Sequence, residues 1–114
     1  MRLNRARFIA AGLIAPMALA SSAAASAEIW RLQCAVAYLP ARSTWVRTLE
    51  LTRQAQQVQS LKIDGVVPYA FVMDGARLIT AIDNERIQID LAHQLWQSDY
   101  RGHASGQGRC DTLE

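Results

Sequence analysis

The chain has 114 residues, with 12 Lys and Arg against 10 Asp and Glu and 51% hydrophobic residues, the composition of one small globular domain. Three of the basic residues, Arg2, Arg5 and Arg7, lie at the extreme N-terminus, so residues 28–114 carry nine basic against ten acidic groups. That balance removes the electrostatic basis for a nucleic-acid partner, whose affinity rests on neutralised phosphates, and leaves no polybasic run for anionic lipid.

The three arginines precede an uncharged apolar stretch, Phe8 to Ala20, broken only by Gly12 and Pro16. Ala25-Ser26-Ala27 then has the small-x-small form of a signal-peptidase site. A membrane span needs about 20 apolar residues. The stretch here has only 13. Residues 1–27 therefore read as a cleavable secretory signal and 28–114 as a single small β domain, periplasmic or secreted, with no stable membrane anchor after cleavage. Cys34 follows Arg31-Leu32-Gln33 rather than the small residues of a lipidation site, and a twin-arginine signature is absent, so the general secretory route is expected.

Downstream, side-chain character alternates with period two, which sends successive side chains to opposite faces of a strand. Trp30, Leu32, Cys34, Val36 and Tyr38 form the apolar face of the first strand, with Arg31 and Gln33 behind it. After a break at Pro40 to Ser43, Trp45 to Leu51 places Trp45, Leu49 and Leu51 on one side and Thr48 and Glu50 on the other. Leu51 to Lys62 admits two readings: a strand from Val58 to Ile63, or a helix, since Leu51, Ala55, Val58 and Leu61 also fit a helical stripe.

Asp64-Gly65 and Asp74-Gly75 suit tight hairpin turns and bracket a strand from Val66 to Met73. Arg77 to Ile82 follows. Beyond Asp83-Asn84, Arg86 to Leu91 points Ile87, Ile89 and Leu91 inward. Ala92-His93-Gln94 turns the chain into Leu95 to Arg101, where Trp96 and Tyr100 share a face. The last segment places Ala104, Gly106, Gly108 and Cys110 together, small residues that permit sharp curvature or close approach of another backbone. About eight short strands at this spacing predict an all-β antiparallel meander, closed or nearly closed into a barrel.

The two cysteines, Cys34 and Cys110, lie 76 residues apart, one near each end of the domain. An even count in an exported domain reads as one structural disulfide joining the first and last strands. It would tie those two strands together and close the barrel.

Signals for chemistry are sparse. His93 and His103 have neither zinc-motif spacing nor a free cysteine nearby, so neither a metal nor a cofactor is expected. Asp83 and Glu85 flank Asn84 in a turn, and Asp90 and Asp99 fall on outward faces, without any sign of burial. No serine or cysteine nucleophile has an evident base, and a non-catalytic protein is expected. Arg101, His103 and Arg109, with Ser105 and Gln107, can share the outward side of the last two strands as a cationic binding patch for a carboxylate, a phosphate or an acidic protein face. Trp30, Trp45, Trp96 and Tyr100 are aromatic candidates for ligand contact, although small barrels fill their interiors with such residues.

An exported β-barrel closed by a disulfide is similar in architecture to the periplasmic lysozyme-inhibitor barrels, and Ser105-Gly106 resembles the Ser-Gly of the inhibitory loop in that group. The tyrosine and lysine expected near that pair are absent here, as is a lipidation site. The resemblance implies inhibition as one form of binding. The expected function is thus to bind a protein or other envelope macromolecule. The alternative is a small apolar-ligand carrier whose open barrel is lined by Trp30, Trp96 and Phe71.

Overall fold

A computed structural model describes residues 26–113. The expected signal peptide lies outside them, except for Ser26 and Ala27. Eight strands and no helix occur among the described residues: β1 (Glu28–Leu39), β2 (Ser43–Gln54), β3 (Gln57–Ile63), β4 (Phe71–Asp74), β5 (Arg77–Ile82), β6 (Glu85–Asp90), β7 (Leu95–Asp99) and β8 (Ser105–Leu113). They form one antiparallel sheet in the order β3-β2-β1-β8-β7-β6-β5-β4, rolled into a nearly closed barrel.

The period-two faces are those read from the residues. On β1, Leu32, Cys34, Val36 and Tyr38 are buried while Arg31, Gln33, Ala35 and Ala37 are exposed. Leu49 and Leu51 of β2, Leu61 and Ile63 of β3, Leu78 of β5, Ile87 and Ile89 of β6, Trp96 of β7 and Cys110 of β8 complete the core. The helical alternative at 52–58 is not realised. Gln54 pairs with Gln57, and Ala55 and Gln56 turn the chain at φ 53° and 65°. Both central residues in the left-handed region are what a type I′ hairpin requires.

The barrel is joined where the chain's ends meet and open where its middle turns. Arg31–Leu39 ladders with Ser105–Leu113, and within that ladder Cys34 lies directly opposite Cys110, their Cα atoms 3.9 Å apart and their sulfurs bonded. The disulfide does join the first and last strands, but the backbone ladder closes the barrel there as well. The seam falls instead between β3 and β4, which do not pair.

The expected Val66–Met73 strand is correspondingly shorter. Asp64-Gly65 makes its turn, at φ 52° and 80°, but only Ile63 and Val66 bridge across it. Pro68, two residues on, has no N–H to give a ladder, and β4 starts only at Phe71.

The glycines of β8 do what close backbone approach demands. A Cβ at Gly108 would come within 2.1 Å of the Ala35 carbonyl oxygen, and one at Gly106 within 2.6 Å of the Tyr38 ring. Only glycine lets β1 and the Tyr38 side chain sit this close to β8.

Candidate functional site

One end of the barrel gathers the β1–β2, β3–β4, β5–β6 and β7–β8 connections, and the core changes character there. Tyr38 comes from the end of β1, Arg47 from the start of β2, Asp64 from the residue after β3, Glu85 from the first residue of β6 and Tyr100 from just past β7. The carboxylate of Glu85, with 2% of its side chain exposed, is the hub. Its Oε2 accepts from the Tyr38 hydroxyl at 2.7 Å and its Oε1 from Tyr100 at 3.0 Å. Arg47 Nη1 donates to both oxygens, at 2.9 and 3.2 Å, and to the Tyr38 hydroxyl oxygen.

Arg47 also donates from Nε to Asp64 Oδ2 at 2.6 Å, while Asp64 Oδ1 accepts from the Thr48 backbone N–H at 2.9 Å. Beneath the guanidinium lies the ring of Trp96, 4.9 Å from Arg47 Cζ to the ring centroid, a cation–π contact. Trp96 Nε1 in turn donates to Ser98 Oγ at 3.1 Å. Every buried polar group named here therefore has a partner, the condition under which buried charge is tolerated.

The ionisation of the cluster follows from those contacts. Burial by itself pushes the Glu85 carboxyl up, but hydrogen bonds from Tyr38, Ser98 and Arg47, together with the Arg47 charge, outweigh it and hold the group below the ordinary carboxylate range. Burial and donation to Glu85 push the Tyr38 hydroxyl up to about 12, and raise Tyr100 for the same two reasons. For Arg47, burial works against the charge, and the bonds to Glu85 and Asp64 prevail, so its protonated form is strengthened.

Above this floor is a cleft of about 360 Å³ lined by Tyr38, Trp45, Arg47, Asp64, Tyr100 and Ala104. Of its lining, Trp45 is 62% exposed; Leu39, Val46, Val66, Val67 and Tyr69, in the β1–β2 and β3–β4 segments at this end, are exposed as well, and Tyr69 has nothing covering it.

The structure brings some of the sequence candidates to this end. Arg101 and His103 are exposed in the β7–β8 connection, Ser105 is the exposed first residue of β8, and Trp45 and Tyr100 line the cleft. Arg109 is also exposed but pairs with Ala35 and Leu95 four residues further along β8, roughly 13 Å from Ser105, so the cationic patch is divided. Trp96 is enclosed in the core, and Trp30 lies at the far end beneath Arg53, whose Cζ is 3.9 Å from its ring centroid. Trp96 is level with Val36 through Gly108, and Trp30 is six residues further along β1, about 20 Å away, so these two do not line a common cavity. His93 sits in the β6–β7 turn beside Asp90, Nδ1 to Oδ2 2.9 Å.

Of the two residues at the centre of the site, Arg47 is not among the sequence candidates, and Glu85, expected with Asp83 as a turn carboxylate without sign of burial, is buried. The signal was present in the phase of each strand. Arg47 shares the parity of Trp45, Leu49 and Leu51, and Glu85 that of Ile87, Ile89 and Leu91. Two opposite charges on inward positions of different strands are a pattern for a buried pair. No group of three or more His, Cys, Asp or Glu side chains among the described residues is arranged to hold a metal. Comparison with protein-family models, with curated proteins and with solved structures finds no match to this chain.

Proposed function

We propose that the chain is an exported, non-catalytic domain, periplasmic or secreted, that binds another envelope or extracellular macromolecule through the open end of its barrel, with inhibition of the bound partner as one form of that role. The observation that carries this reading is the concentration of exposed apolar side chains, Trp45, Val66, Val67 and Tyr69 among them, at the end of the barrel that holds one polar-floored cleft, which Trp45 lines. Exposed apolar patches set among polar groups mark interaction surfaces, and Trp, Tyr and Arg dominate binding energy at them. The disulfide is compatible with an oxidising compartment. Glu85 supports a structural role for the floor, since its oxygens are occupied by donors from within the domain and its carboxyl is held ionised.

The test is site-specific photo-crosslinking in an envelope extract, with the probe at Tyr69 and, as control, at Ile29 on the opposite end. A discrete adduct from position 69 that Trp45→Ala abolishes, with none from position 29, is the expected result. Indistinguishable yields from the two positions would refute the reading.

A further inference from the structure

The mouth cleft offers hydrogen-bonding groups as well as the exposed indole of Trp45. Arg47 spends Nε on Asp64 and Nη1 on Tyr38 and Glu85, leaving Nη2 without a protein partner among the described residues. Asp64, accepting from Arg47 and Thr48 with 40% of its side chain exposed, keeps outward lone pairs for a further donor. A donor and an acceptor held by one short ion pair therefore stand side by side in the lining. The indole of Trp45 supplies a broad apolar surface beside them, and the small side chain of Ala104 leaves room.

We propose that this cleft binds an N-acetylated amino-sugar unit of a glycan chain, which names the partner class for the open-end binding surface and rests on that reading. The acetamido carbonyl accepts from Arg47 Nη2, the acetamido N–H donates to Asp64, and the C–H face of the sugar ring lies on Trp45. Charge favours a neutral ligand. An anion entering the cleft meets the Asp64 carboxylate and a guanidinium whose charge is already matched by Asp64 and the buried Glu85, and a cation meets the unused N–H groups of that guanidinium. An acetamido group presents one C=O and one N–H and satisfies both sides. The volume of about 360 Å³ is sufficient for one such ring with its substituent and falls within the roughly 300–1,000 Å³ usual for small-molecule sites.

The probe is chitotetraose, the tetramer of N-acetylglucosamine, titrated calorimetrically into the oxidised protein, with the fully deacetylated glucosamine tetramer as chemical control. Saturable binding is expected, weakened roughly tenfold or more both by deacetylation and by Trp45→Ala. Because Trp45 is exposed, that variant should melt at the wild-type temperature, which separates lost binding from lost folding. Absence of saturable binding, indifference to Trp45→Ala, or equal binding of the deacetylated tetramer would each overturn the proposal. A protein adduct at Tyr69 without chitotetraose binding would overturn the glycan and leave the open-end surface standing; failure of both would remove both.

Discussion

Replacing Glu85 by Gln tests whether the floor of the mouth is held by charge or merely by shape. The amide has nearly the volume of the carboxylate and keeps one acceptor oxygen, and the Tyr100 hydroxyl can turn to accept from the new NH₂. What disappears is the negative charge facing Arg47, whose side chain is only 13% exposed. The guanidinium would keep Asp64, but that carboxylate is 40% exposed and so partly screened by water. Removing one member of a buried pair typically costs 3–5 kcal/mol, because the remaining charge stays desolvated. A domain of this size has a total stability on the order of 5–10 kcal/mol. With roughly 4–8 °C lost per kcal/mol in small domains, the oxidised variant should melt about 12–40 °C lower.

Denaturant titrations of Glu85→Gln, Arg47→Met and the double variant, followed by the fluorescence of the buried Trp96, give the coupling directly. The double variant should lose about 2 kcal/mol less than the sum of the singles. A loss below about 1 kcal/mol for Glu85→Gln, or strict additivity, would refute the hub assignment.

Three further outcomes are expected. Cys34→Ser or Cys110→Ser opens a loop of 76 residues, and in the chain-entropy model should cost about 4.5 kcal/mol, measured as a lower melting temperature in oxidising buffer; equal melting of variant and oxidised wild type would contradict it. Gly108→Ala should destabilise by more than about 2 kcal/mol, since the added carbon collides with the β1 backbone, whereas Gly106→Ala meets side chains and should chiefly displace Tyr38, read as a changed tyrosine titration. Stability should fall at both pH extremes. The Glu85 carboxyl is depressed in the fold, so its contribution is present above the unfolded-state carboxyl value and is lost as pH drops through the folded one. The Tyr38 hydroxyl is raised from 10.0 to about 12, so its contribution is complete below 10 and is lost between there and 12. Tyr38→Phe should reduce the alkaline component and leave the part that Tyr100, also raised, contributes, seen by comparing unfolding curves at stepped pH.

Much of this molecule can be read from local pattern alone. Side chains on a strand alternate faces whatever the strand pairs with, so the spacing of Leu32, Cys34, Val36 and Tyr38, or of Ile87 and Ile89, is enough to assign the inward side. Asp64-Gly65 and Asp83-Asn84 announce their turns because few other residue pairs accept two left-handed conformations in succession. Two distant cysteines, one near each end of the domain, are enough to suggest the disulfide. Ala55-Gln56 carries no such turn signal, and there only the Gln54–Gln57 pairing distinguishes strand from helix.

The site itself belongs to the tertiary structure. β2 and β6 are separated in the sheet by β1, β8 and β7, so Arg47 and Glu85 meet only across the interior of the rolled barrel. Each is in phase with its core neighbours, but a lone charge on an inward position would be prohibitively costly, and only the opposing strand shows that it is paired. The position of the seam was decided in the same way. Local sequence marks Pro68 as a poor ladder residue, but only the pairing of β1 with β8 makes β3 and β4 the two edge strands, which do not pair with each other.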